Sequence, residues 1–202
     1  MDAAQAKACE AGDASGCVAA ANSFAPRGAY RANLSAADAD AKALGTTRYA
    51  QRGCELGDGA GCALVAQFGA GRSTDGMLVR ACELGYAASC GSVGRSLIGS
   101  GRTVDRQRGA DLLEKACVAD AVDWMSLTSH HGGFCHQLYE AYKSRSLRNR
   151  TKARRFLALA CRQGDKLDCP CKVDADCGEL PDDEAGLGYF CASGTCQVAS
   201  SE

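Results

Sequence analysis

The stretch RACELGYAASC, residues 80–90, sets Cys82 and Cys90 eight positions apart around Gly85. Three other stretches nearly repeat it: KACEAGDASGC at 7–17, RGCELGDGAGC at 52–62 and LACRQGDKLDC at 159–169. On one straight helix, residues eight apart lie about 12 Å from each other at 1.5 Å per residue. A disulfide spans at most about 7 Å between Cα atoms, so the chain must fold back between the two cysteines. Glycine accepts the left-handed conformation that ends a helix. One stands three residues after the first cysteine each time, at Gly12, Gly57, Gly85 and Gly164. Each first cysteine therefore belongs to a last helical turn. Asp13, Asp58 and Asp165 come next and suit the cap of a following helix, which places Cys17, Cys62 and Cys90 in its opening turns. The spacing measures a corner between two helices, and it predicts the bridges Cys9–Cys17, Cys54–Cys62, Cys82–Cys90 and Cys161–Cys169.

A fifth corner starts at Lys115-Ala116-Cys117, but its second cysteine, Cys135, is delayed by the insertion VADAVDWMSLTSHHGGF. Between corners the helical period is legible. In TVDRQRGADLLEKAC, residues 103–117, Ala110, Leu113 and Cys117, with Leu112 and Ala116, form an apolar stripe. Thr103 or Asp105 is expected to cap its start. TKARRFLALAC, 151–161, turns Ala153, Phe156, Leu157 and Ala160 inward, and a longer helix begins at Ser35. The alternate helices, GCVAAANSFA, GCALVAQFGA, SCGSVGRSLIGSG and FCHQLYEAYKS, are short and rich in small residues, so neighbours can approach closely. β-branched and aromatic residues are sparse, which argues against strands. The expected class is all-α.

Composition narrows the setting. Fourteen cysteines in 202 residues, most at repeated offsets, favour disulfides over zinc, whose sites use Cys-x2-4-Cys knuckles. That implies an oxidising compartment, periplasmic or extracellular, and an export signal removed ahead of residue 1, since the chain opens without a signal-peptide pattern. The net charge of −1 gives no reason to expect nucleic acid as a partner. No apolar run approaches the 18 or so residues that span a bilayer.

Residues 81–117, ACELGYAASCGSVGRSLIGSGRTVDRQRGADLLEKAC, resemble a Sel-1-like repeat, a helical repeat related to the tetratricopeptide type. The short helix, the IGSG loop, Val104-Asp105 and the helix ending Lys-Ala-Cys come in that order. The added Cys-x7-Cys resembles the disulfide-bridged subclass typified by the Helicobacter cysteine-rich proteins. The resemblance covers roughly residues 1–169 and departs at 24–36, which lack the usual loop, and at the 118–134 insertion. It implies an α/α solenoid of disulfide-bridged repeats over 1–169, followed by a short cysteine-rich module over 170–202. Pro170 ends the array because proline cannot continue a helix. The last four cysteines allow three pairings, of which Cys171–Cys191 with Cys177–Cys196 is preferred.

Few residues suggest chemistry. Some relatives of that subclass are described as penicillin-binding or β-lactamase-like, yet S-x-x-K, S-D-N, K-T-G and G-x-S-x-G are all absent. No catalytic residue is assigned and no enzyme is expected. His130, His131 and His136 gather every histidine within seven residues. They are weak candidates for a transition metal or haem, set against a plain polar loop, and no cofactor is required. YKSRSLRNRTKARR, 142–155, carries seven basic residues, and the tail holds Asp174, Asp176, Glu179, Asp182, Asp183 and Glu184, which suggests an acidic partner for the basic run or a tail that folds back onto it. Two solvated charge runs are the plainer account.

Stacked helix pairs present a face lined by the shorter helices. The expected function is a monomeric, non-catalytic scaffold that holds a protein or peptide, with an enzyme on cell-wall or β-lactam substrates and a haem or metal carrier as rivals. Helical position suggests Asn22, Gln67, Arg95, Gln137, Tyr139 and Tyr142 as contacts, joined by the basic residues Arg145 and Arg148. Trp124, the sole tryptophan, is a further contact candidate in the insertion.

Overall fold

The computed structural model describes residues 3–25, 36–69, 74–119, 133–163, 168–171 and 189–198. They form α1 (Ala3–Glu10), α2 (Ala14–Phe24), α3 (Ala36–Glu55), α4 (Gly59–Phe68), α5 (Thr74–Glu83), α6 (Ala87–Gly99), α7 (Thr103–Val118), α8 (Phe134–Lys143) and α9 (Arg150–Arg162). A hairpin of β1 (Tyr189–Ala192) and β2 (Thr195–Val198) comes last. The chain divides into two compact units, Met1–Val93 and Gly94–Glu202.

The corners are built alike. After α1, the Gly12 N–H donates to the Cys9 carbonyl and the Asp13 N–H to that of Ala8. Gly57 and Asp58 repeat the pair of bonds after α3, as do Gly85 and Tyr86 after α5. Such a pair closes a helix around a residue in the left-handed region, and Gly12, Gly57 and Gly85 have φ of +91°, +91° and +86°. Asp13 and Asp58 then serve as side-chain caps of α2 and α4, accepting from Ser15 N–H and from Ala60 and Gly61 N–H. So compact a turn brings Cα atoms eight residues apart to 4.4–4.6 Å, and disulfides join Cys9 to Cys17, Cys54 to Cys62 and Cys82 to Cys90.

In the first unit consecutive helices pack on one another from α1 to α5. The buried residues are small: Ala21, Ala50 and Val65 in one cluster, Cys54, Cys62 and Ala81 in another. Phe24 stacks on Tyr49 at 5.7 Å between ring centroids.

The second unit has a thicker interior. Ala110, Leu113 and Ala116 of α7, Leu138 and Tyr142 of α8, and Ala153, Phe156 and Ala160 of α9 form one cluster. Tyr142 and Phe156 stack at 5.8 Å. Cys117 and Cys135 are bridged with Cα atoms 4.8 Å apart, tying the end of α7 to the start of α8. Helix α7 starts at Thr103, so the cap position falls to Arg102, whose side chain makes no capping bond. The expected cap at Thr103 or Asp105 is thereby corrected. Asp105 lies within the first turn, where it meets the Arg102 guanidinium at 3.3 Å and accepts from Ser100 Oγ.

The described part of the C-terminal module departs from the all-α expectation. Its antiparallel strands turn through Ser193 and Gly194, both at positive φ, as a two-residue hairpin loop requires. Residues 168–171 lie along the hairpin: Asp168 N–H donates to the Cys196 carbonyl, Cys196 N–H to Cys169 and Cys171 N–H to Gly194. Disulfides Cys161–Cys169 and Cys171–Cys191 fasten this edge. The two strands, YFCA and TCQV, are locally richer in aromatic and β-branched residues than the chain at large, and cross-links and main-chain bonds help to hold a piece this short. Cys196 is disulfide-bonded as well; Cys177, its expected partner, lies outside the described residues.

Candidate functional site

Helix α8, FCHQLYEAYK, buries Phe134, Cys135, His136, Leu138, Ala141 and Tyr142. A histidine on that buried stripe is the unusual member, and His136 is only 4% exposed. Glu140 stands one turn later, and residues four apart share a helix face. The third group arrives from far along the chain. Asp168 Oδ2 lies 3.8 Å from His136 Nε2. One potential ligand atom from each of His136, Glu140 and Asp168 falls within 4.8 Å of the other two.

Asp168 is held there by its backbone. It has φ +58°, a conformation that Asp tolerates better than most residues. Its N–H is bound to Cys196, and its neighbour Cys169 is bridged to Cys161 at the end of α9.

These three residues open onto a groove of about 740 Å³ in the second unit. Ile98, Leu113, Ala141 and Leu147 give it apolar walls. Arg95 and Arg106 bring positive charge, and Gln137, Ser144 and Ser146 bring hydrogen-bonding groups. The Arg95 guanidinium sits 6.0 Å from the Phe134 ring centroid. Tyr139 meets the His136 ring edge-on at 5.5 Å. Lys143 lies over Tyr139 at 4.9 Å and donates to Glu140 Oε1 at 3.0 Å. That bond, more than any other influence, raises the Lys143 ammonium above its ordinary pKa of 10.5.

Of the residues proposed from the sequence as contacts, Arg95 and Gln137 both line the groove. Tyr139 is half-buried beside His136. Tyr142 is not a contact residue: it is 3% exposed and stacked in the core, because α8 turns this position toward α9. Arg145 and Arg148 are exposed between α8 and α9. Asn22 and Gln67 belong to the first unit, on α2 and α4. Trp124, His130 and His131 lie outside the described residues, as do the acidic residues of the tail. Part of the basic run is paired: Lys152 and Arg155 of α9 approach Glu114 of α7 at 3.5 and 3.7 Å.

Sequence reasoning missed Glu140 and Asp168. The first was readable, since His136 and Glu140 stand at i and i+4 within FCHQLYEAYK. The second was not, because Asp168 reaches the histidine only through the fold of the hairpin and its bridges.

No protein-family model matches this chain, and neither curated proteins nor solved structures include a match to it.

Proposed function

We propose that the protein is a non-catalytic scaffold of an oxidising compartment, periplasmic or extracellular, that holds a segment of another protein in the groove beside α8. The carrying observation is the groove itself, with apolar walls at Ile98, Leu113, Ala141 and Leu147 next to Arg95 and Arg106. Such a surface suits an extended peptide that offers one apolar side chain to the walls and one carboxylate to the arginines. Gln137, Ser144 and Ser146 can meet its main chain. The disulfides support the reading in two ways. They are compatible with export, and they stiffen the helix corners before the ligand arrives, so that little ordering entropy is lost on binding. The Sel-1-like resemblance of residues 81–117 points to the same class of role. No helix among the described residues is long and apolar enough to cross a membrane.

The test is selection of a displayed peptide library on the oxidised protein, then titration of the enriched peptides against Leu147→Glu and Arg106→Ala. Peptides combining an apolar and an acidic residue are expected, bound at least tenfold more weakly by Leu147→Glu at unchanged helicity. No enrichment, or enriched peptides indifferent to both variants, would overturn the proposal.

A further inference from the structure

We infer that His136, Glu140 and Asp168 form a binding site for one divalent transition-metal cation, of the zinc type. The inference stands on the three side chains and does not depend on the groove holding a peptide.

The ligand set has the right chemistry. A neutral imidazole and two carboxylates are ordinary ligands of zinc and its first-row neighbours. Two carboxylates brought beside one buried imidazole repel each other, and a divalent cation relieves that repulsion. The geometry is nearly closed. Metal–ligand bonds of about 2.0–2.2 Å in a tetrahedron place ligand atoms roughly 3.4 Å apart. The His136–Asp168 distance is 3.8 Å, and all three ligand atoms lie within 4.8 Å of one another. The remaining adjustment falls on Glu140, the exposed member, whose side chain is the most able to move.

The mounting also favours the site. His136 and Glu140 are fixed four apart on one helix, the spacing that zinc-binding helices use for paired ligands. Asp168 is fixed by its main-chain bond to Cys196 and by the adjacent Cys161–Cys169 bridge. Three protein ligands leave a coordination position open toward the groove, where water or a ligand oxygen completes the shell. Lys143 engages Glu140 through Oε1 at 3.0 Å in an exposed ion pair, which a divalent cation of higher charge can displace or share by taking the other carboxylate oxygen.

The experiment is calorimetric titration of metal-stripped, oxidised full-length protein with Zn²⁺ alone, and visible spectroscopy with Co²⁺ alone. One equivalent is expected to bind with micromolar or tighter affinity, with cobalt d–d bands of a four- or five-coordinate site. Glu140→Gln and Asp168→Asn each remove a ligand at the surface. Asn suits φ +58° as well as Asp does, so both variants should fold, which circular dichroism checks. Each is expected to weaken Zn²⁺ at least tenfold, while a His130→Ala/His131→Ala variant binds like the parent. Absence of binding by the parent, parent-like binding by both ligand variants, or loss confined to the His130/His131 variant would each overturn the site.

Discussion

Gly94 and Gly109 meet backbone to backbone where α6 crosses α7. A Cβ on Gly94 would stand 2.6 Å from the Gly109 carbonyl oxygen and 2.9 Å from Leu113 N; one on Gly109 would stand 2.6 Å from the Gly94 oxygen and 2.9 Å from Ile98 N. Because the obstructing atoms are main-chain atoms, the helices themselves must separate. Gly94→Ala or Gly109→Ala is expected to lower stability by about 1–3 kcal/mol through overpacking, although alanine is intrinsically the better helix former by about 1 kcal/mol. Gly99→Ala, where an added Cβ meets nothing within 4 Å, should show no loss. Urea midpoints of the three variants check the ordering.

The corner bridges matter most where the interior is thinnest. Closing a loop of nine or so residues restricts the unfolded chain by about 2.5 kcal/mol per bond. The first unit buries mainly alanine, cysteine and Val65, whereas the second buries Leu113, Leu138 and Phe156. Under mild reduction, amides of α2 and α4 are therefore expected to lose hydrogen-exchange protection before those of α8 and α9. Mass-spectrometric exchange with and without reductant measures this; simultaneous loss in both units would contradict it.

The helices and their corners were legible because both rest on local rules. At Gly12, Gly57 and Gly85 a glycine three residues after a helical cysteine ends the helix, and Asp13 and Asp58 cap the helices α2 and α4. The features that the sequence concealed depend on contacts between distant segments. The stack of Tyr142 on Phe156 needs α8 and α9 to be set side by side before Tyr142 can be recognised as interior. Asp168 sits beside a cysteine with nothing in its neighbourhood to mark it, and only the hairpin, itself unforeseen, carries it to His136. The first-turn chemistry of α7 misled for a related reason. Thr103 and Asp105 both have capping side chains, but the turn through Ser100 and Gly101, the latter at φ +85°, sets the helix entry at Arg102.

The cap at α2 makes stability depend on acid. Asp13 Oδ1 accepts from Ser15 Oγ at 2.8 Å and from Ser15 N–H at 3.0 Å. These bonds, the Ser15 hydroxyl foremost, hold its carboxyl below the ordinary 3.8. A group whose folded pKa is depressed stabilises fully above its unfolded pKa and loses that contribution as pH falls through the folded one. Asp13→Ala should thus melt below the parent at neutral pH, and the gap should close below about pH 4. Paired melting curves from about pH 2 to 7, spanning the carboxylate range, give the answer; a gap that persists unchanged at the acid end would show that the carboxylate bonds are not its source.

The core of the second unit turns on Phe156, which is fully buried against the Tyr142 ring. Removing so large a side chain costs the transfer of its surface from water and leaves a cavity, about 3–5 kcal/mol in sum for Phe→Ala. Phe156→Ala is therefore expected to unfold α8 and α9 together, and to weaken Zn²⁺ binding through loss of α8. Tyr142→Phe keeps the stacked ring and removes only the hydroxyl that accepts from Lys152 Nζ at 3.1 Å, so its cost should stay near or below about 1 kcal/mol. That hydroxyl is also the main influence raising the Lys152 ammonium above its ordinary 10.5. A raised folded pKa stabilises below the unfolded value and is lost as pH rises through the folded one, so the small deficit of Tyr142→Phe should be present at neutral pH and fade in strong alkali. Denaturant titrations of both variants at neutral pH separate the two contributions: a Tyr142→Phe loss as large as that of Phe156→Ala would mean that the hydroxyl, and not the stacked rings, organises this core.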